Sequence, residues 1–123
     1  MRDSRPKNLN LFTIRFPLPA IVSILHRVSG AILFLLIPVF LLMFDVSLTW
    51  SGFELLQEWL GSIYIKLLLW LIFIPFCFHL VAGIRHLLMD IHIGSSLKGG
   101  RIGAITVFAV TIVLVLLAGI RLW

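Results

Sequence analysis

The sequence predicts an all-α integral membrane protein with three transmembrane helices and an N-terminal interfacial arm. Composition is the first observation: 61% of the 123 residues are hydrophobic and 12% are charged. With a mean hydropathy of +1.16, the chain has more apolar surface than a soluble domain of this size could bury. The second is the distribution of charge. Residues 28–44, 67–84 and 102–120 carry no charged side chain, and each run approaches the roughly 20 helical residues that cross a hydrocarbon core. The third is an asymmetry of lysine and arginine between the connections, described below. Together they give one membrane-anchor domain over residues 1–123, with an arm at 1–19 and spans near 22–45, 62–90 and 101–122.

The net charge of +5 does not point to nucleic acid, because the basic residues stand singly near the ends of the apolar runs rather than on one face. Lipid headgroups and partner subunits are the expected contacts. The single cysteine, Cys77, lies in the middle of a run. It excludes an internal disulfide, and it excludes a thiolate iron–sulfur cluster or zinc site built by this chain alone; a small buried side chain is the expected role.

The arm carries Arg2, Arg5, Lys7 and Arg15 against Asp3, with Pro6, Pro17 and Pro19 preventing an unbroken helix. It resembles a signal peptide only in being basic. The apolar run that follows is too long and ends in no small-residue cleavage site, so the arm is expected to stay in the mature protein. The first span opens on Ser23-Ile-Leu-His26-Arg27-Val-Ser29-Gly30. Ser23 and Arg27, four apart, stack on one helical face. Two fates are open to them: Arg27 snorkelling to phosphates with Ser23 bonding back to a helix carbonyl, or a shared binding role. Pro38 predicts a kink further along.

Residues 45–61 hold Asp45, Glu54 and Glu58 and no lysine or arginine, whereas the arm and residues 85–101 are basic. The positive-inside rule then puts the N-terminus in the cytoplasm and the C-terminus outside. Leu55, Leu56, Trp59 and Leu60 suit a short helix on the outer surface, and Trp50, Trp59 and Tyr64 suit an aromatic belt. The second span contains Pro75 and ends in His79-Leu-Val-Ala-Gly83-Ile-Arg85-His86-Leu-Leu-Met-Asp90. At 3.6 residues per turn, His79, Gly83, His86 and Asp90 fall on one stripe. The glycine leaves room for something flat to approach the backbone. His79 lies about 9 Å along the helix from Arg85, inside the membrane, with His86 near its inner edge. Residues 94–100, Gly-Ser-Ser-Leu-Lys-Gly-Gly, predict an inner loop. The last span, with Gly103, Ala104, Ala109, Ala118 and Gly119, allows close helix packing and is expected to be scaffold.

An intramembrane histidine answers its desolvation cost either by bonding another helix or by binding metal, and spacing leaves both open. If His79 binds a haem iron, His86 on the same helix face cannot reach the opposite side of the porphyrin. His26, placed at the inner rim with His79 deeper, is a poor second ligand too, so that ligand would come from another chain. His26, Arg27, Arg85 and His86 would suit two propionates directed inward.

Three stretches together carry a resemblance to a known family: Arg5-Pro6-Lys7-Asn8-Leu9, Ser23-Ile-Leu-His26-Arg27-Val-Ser29-Gly30, and the run from His79 to Asp90. In this order, and with three spans, they resemble the larger membrane-anchor subunits, of the cytochrome b556 kind, of bacterial succinate dehydrogenase (respiratory complex II). The resemblance covers essentially the whole chain. It implies an inner-membrane helical bundle shared with a smaller membrane-anchor subunit, holding a flavoprotein subunit and an iron–sulfur subunit and passing electrons from succinate to ubiquinone. It implies haem b shared with the second anchor. By motif position His79 would be the axial ligand to the haem iron; His26, Arg27 and His86 would support propionates; Ser23 and Arg27 would contribute to the quinone site. Met89 stands where this family often has tryptophan, at a position that is not a ligand. The alternatives are a fumarate reductase anchor, or a non-redox scaffold or transporter subunit whose histidines only join helices.

Overall fold

The computed structural model describes residues 9–123; Arg2, Arg5, Lys7 and most of the Arg5–Leu9 stretch lie outside it. Among the described residues the architecture is all helical: α1 (Leu18–Ser47), α2 (Trp50–Gly61), α3 (Ile63–Asp90) and α4 (Leu97–Leu122). Three of them, α1, α3 and α4, are long and apolar enough to cross a membrane.

Each boundary has a local cause. Pro17 stands in extended conformation before α1 and Pro19 falls in its first turn, where a missing N–H breaks no helical bond. Thr49 caps α2, its hydroxyl accepting from the Gly52 amide at 3.1 Å, and α2 is the short helix expected from the leucines and Trp59. At the other end of α3 the Ile93 amide donates to the Leu88 carbonyl and the His92 amide to the Met89 carbonyl, both at 2.9 Å. This paired closure needs a left-handed residue just past the helix, and His92 supplies it with φ 64°.

The connection between α3 and α4 is shorter than residues 94–100 suggested. Ser96 accepts from the Gly99 amide at 3.0 Å, an N-cap that starts α4 at Leu97 and draws Gly99 and Gly100 into its first turn. The two glycines that looked like loop punctuation are therefore helical. Helices α1 and α3 continue through Pro38 and Pro75.

α3 packs against both α1 and α4. Val22 of α1, Phe78 and Ala82 of α3, and Ala104 and Val107 of α4 form the buried core, with Leu18, Val81 and Phe108 against it. Most other large apolar side chains face outward, as a lipid-facing or partner-facing surface requires. Trp50, Trp59 and Tyr64 are exposed in α2 and the first turn of α3, at one end of the bundle.

Candidate functional site

The core lies beside a cluster of three imidazoles. His26 of α1 stacks face to face on His79 of α3, ring centroids 4.2 Å apart and planes 6° from parallel. Its other neighbour is His86, centroid at 5.0 Å. Sequence spacing had placed His26 at the rim and His79 deeper; the structure sets the two rings side by side. His26 is eight residues from the start of α1 and His79 eleven from the end of α3, about 12 and 16 Å along helices that run in opposite directions. They consequently lie within a turn of the same height.

Two glycines make the contact possible, and they are reciprocal. A Cβ on Gly30 of α1 would lie 2.9 Å from His79 Cε1, and one on Gly83 of α3 would lie 3.3 Å from His26 Nε2. Each helix thus gives up a side chain where the other places an imidazole. Gly83 was expected to admit something flat, and within this chain the flat group is His26.

The nitrogens differ in their partners. His79 Nδ1 is 3.0 Å from the His26 carbonyl and 3.1 Å from Ser29 Oγ, while Ser29 donates its own proton to the same carbonyl at 2.8 Å. A carbonyl only accepts, so Nδ1 carries the proton here. Nε2 then keeps its in-plane lone pair. No hydrogen bond among the described residues engages it, and His26 covers the ring's face rather than the edge where the lone pair points. This is the arrangement of a metal-ligating histidine, whose second nitrogen donates to a carbonyl. His86 is tied by Nδ1–H to the Ala82 carbonyl at 2.7 Å.

Stacked rings cannot hold one iron between them, since each presents a face, and not a lone pair, to its neighbour. Nor do three His, Cys, Asp or Glu side chains converge as a metal-binding group among the described residues. His79 Nε2 is one nitrogen this chain could offer an iron; His86, with Nδ1 on a carbonyl as well, and the unbonded His26 ring keep free nitrogens too.

On α1, Ser23 is half-buried and Arg27 exposed. The back-bonding considered for Ser23 is made by Ser29 instead, and the Ser23 hydroxyl has no hydrogen bond among the described residues. Arg27 makes no ion pair there either. Asp90, the last member of the α3 stripe, is exposed at the helix end, apart from the imidazoles.

Arg85 requires a correction. Grouped by sequence with the inward polar residues, it points the other way, between α3 and α4, only 8% exposed. Its Nη2 donates to the Gly100 carbonyl at 3.2 Å, and Gly103 leaves space for its side chain. The residue next to His86 on the helix is rotated by about 100°, which is why it meets a different neighbour. Conversely, spacing missed Ser29 and Gly30. Both stand in the Ser-x-x-His-Arg-x-Ser-Gly motif, which was the available signal.

Residues 1–118 match the family described as succinate dehydrogenase/fumarate reductase transmembrane subunit. The chain belongs to that family. It is 43% identical over 125 residues, covering all of both chains, to the succinate dehydrogenase cytochrome b556 subunit of Coxiella burnetii (strain RSA 493 / Nine Mile phase I). The proteins of the same name from Rickettsia prowazekii (strain Madrid E) and Paracoccus denitrificans are 30% and 29% identical, each alignment covering 94% of this chain and 90% of the relative. Membership in the succinate dehydrogenase/fumarate reductase transmembrane subunit family, with three apolar helices of spanning length, makes this a multi-pass membrane subunit of a larger complex. The transporter alternative is set aside.

Proposed function

We propose that this chain is the haem b- and quinone-binding anchor of a succinate:ubiquinone oxidoreductase, receiving electrons from an iron–sulfur subunit and delivering them to ubiquinone. The observation that carries the reading is His79: its Nδ1–H is committed to the His26 carbonyl and Ser29, and Nε2 is left with a lone pair. The relatives' name, cytochrome b556 subunit, gives that lone pair an iron to bind. Bound haem b would supply a one-electron redox centre.

This chain's residues then have separate tasks. His79 Nε2 would hold the haem iron from this chain, and a histidine of a smaller anchor subunit would complete its ligation. His26, Arg27 and His86 would hold its propionates through charge-assisted hydrogen bonds. Ser23 and Arg27, one turn apart, face the quinone: the hydroxyl donates to a carbonyl oxygen, and the guanidinium stabilises the negative charge that develops there as electrons arrive. A site near the membrane's inner edge also gives access to the protons that quinone reduction consumes. The absence of lysine and arginine from residues 45–61 supports a bacterial inner-membrane orientation with the N-terminus cytoplasmic and the C-terminus periplasmic. The flavoprotein and iron–sulfur subunits then dock on the cytoplasmic side.

The test uses the purified complex. His79→Leu should shift or abolish the reduced-minus-oxidised b-type spectrum, and an unchanged spectrum sinks the ligand assignment. Ser23→Ala should slow succinate-to-quinone transfer roughly ten- to a hundred-fold, the worth of a charge-assisted hydrogen bond, while succinate oxidation by an artificial acceptor persists. Wild-type quinone reduction in that variant removes Ser23 from the site.

A further inference from the structure

Ser29 is 4% exposed, and its hydroxyl has a fixed orientation because its proton goes to the His26 carbonyl at 2.8 Å. The oxygen's lone pairs are therefore what remain for His79 Nδ1 at 3.1 Å. With the carbonyl at 3.0 Å, the Nδ1 proton lies between two acceptors, both furnished by one turn of α1. Gly30 sets the ring's distance from the helix. A proton shared with two acceptors leaves more electron density on the imidazole, making Nε2 a stronger donor. A stronger axial donor favours the oxidised iron.

We infer that Ser29 is a positioning residue that, with the His26 carbonyl, holds His79 in its Nδ1–H form and keeps the potential of the haem it ligates lower than that ring alone would set. The inference rests on His79 being the axial ligand. It adds a role for a residue that touches neither iron nor quinone. The opposite tautomer would aim a lone pair at the His26 carbonyl and turn N–H toward the metal, so the hydroxyl and carbonyl act on both ligand identity and ligand strength.

The experiment is a redox titration of haem b in the purified complex, with Ser29→Ala, Ser29→Thr and His79→Leu prepared in parallel. Threonine keeps a hydroxyl that bonds the same i−3 carbonyl in a helix. Ser29 borders an apolar cavity of about 600 Å³ lined also by Leu25, Ile32 and Phe78, which gives the added methyl room. Ser29→Ala should retain haem with a more positive midpoint potential and an altered low-spin electron paramagnetic resonance signal, and Ser29→Thr should restore both. Haem lost from the alanine variant but kept at the wild-type potential in the threonine variant also supports the role. A potential that is unchanged or more negative in Ser29→Ala overturns it. So does loss of haem from both Ser29 variants, which would make side-chain volume the requirement rather than the hydroxyl. His79→Leu separates the two levels: an unchanged spectrum there defeats the ligand assignment itself, whereas a lost spectrum with an unmoved Ser29→Ala potential defeats only the role of Ser29.

Discussion

The two faces of α3 use the same packing device for different ends. Toward α4, glycines seat large side chains at both ends of the contact: Gly103 lies under Arg85, and Gly119 under the Trp70 indole. In each case the polar tip finds a backbone acceptor, Arg85 the Gly100 carbonyl and Trp70 the Val115 carbonyl at 2.8 Å. Toward α1, Gly30 and Gly83 seat His79 and His26, but these rings keep nitrogens that nothing in the chain engages. The α3–α4 interface joins helices through these bonds, although Arg85 Nε and Thr111 Oγ1 of α4 stay buried without a partner among the described residues, whereas the α1–α3 interface gathers three imidazoles whose remaining nitrogens have no partner among the described residues. Unspent hydrogen-bonding capacity inside an apolar bundle is costly unless a ligand or partner completes it. The gathered imidazoles make the α1–α3 face the candidate for chemistry, and the side-chain-to-backbone bonds across α3–α4 make that face a candidate brace.

The largest break in this contrast should come from Gly30→Ala. The new methyl would lie 2.9 Å from His79 Cε1, and the ring cannot retreat without losing its bonds to Ser29 and the His26 carbonyl. We expect loss of most haem b from the purified complex, read from the reduced-minus-oxidised spectrum; full haem content would show that the ring is not seated as described.

Gly119→Ala should be smaller and different in kind. Three atoms of the Trp70 indole would lie 3.1 to 3.3 Å from the added Cβ, overpacking that typically costs about 1–3 kcal/mol. Thermal unfolding of the complex should shift downward while the haem spectrum and potential stay at wild-type values. A spectral change would mean that the brace and the site are coupled.

Gly83→Ala should do least. Its Cβ would meet His26 Nε2 at 3.3 Å, and among the described residues no hydrogen bond pins that ring, so a few tenths of an ångström of movement relieves the contact. Haem content near wild type, with quinone reductase activity reduced by less than in Ser23→Ala, is expected. If Gly83→Ala abolished haem as Gly30→Ala does, the two glycines would be equivalent and the distinction between a held and an unheld imidazole would fail.

Much of this was open to inspection before any coordinates. Three uncharged runs of spanning length require three helices, because in hydrocarbon every backbone group must be bonded within its own segment. The prolines at 17 and 19 mark where the first helix begins, and Leu55, Leu56, Trp59 and Leu60 mark the short surface helix. That His79 shares a face with Gly83 and His86 follows from helical periodicity alone.

Only the tertiary structure could decide what lies across from that face. Periodicity orders residues around one helix and carries no information about the vertical offset of its neighbour. It therefore left His26 at the wrong depth and could not pair Gly30 with His79 or Gly83 with His26. It grouped Arg85 with His86 because they are adjacent in sequence, although the rotation per residue sends one to α4 and the other to α1. Ser29 shows the limit most sharply. A serine in a helix ordinarily does no more than bond the carbonyl of the preceding turn, and Ser29 does so; its second contact, to His79 fifty residues on, exists because two glycines let the helices close to within reach of a hydroxyl.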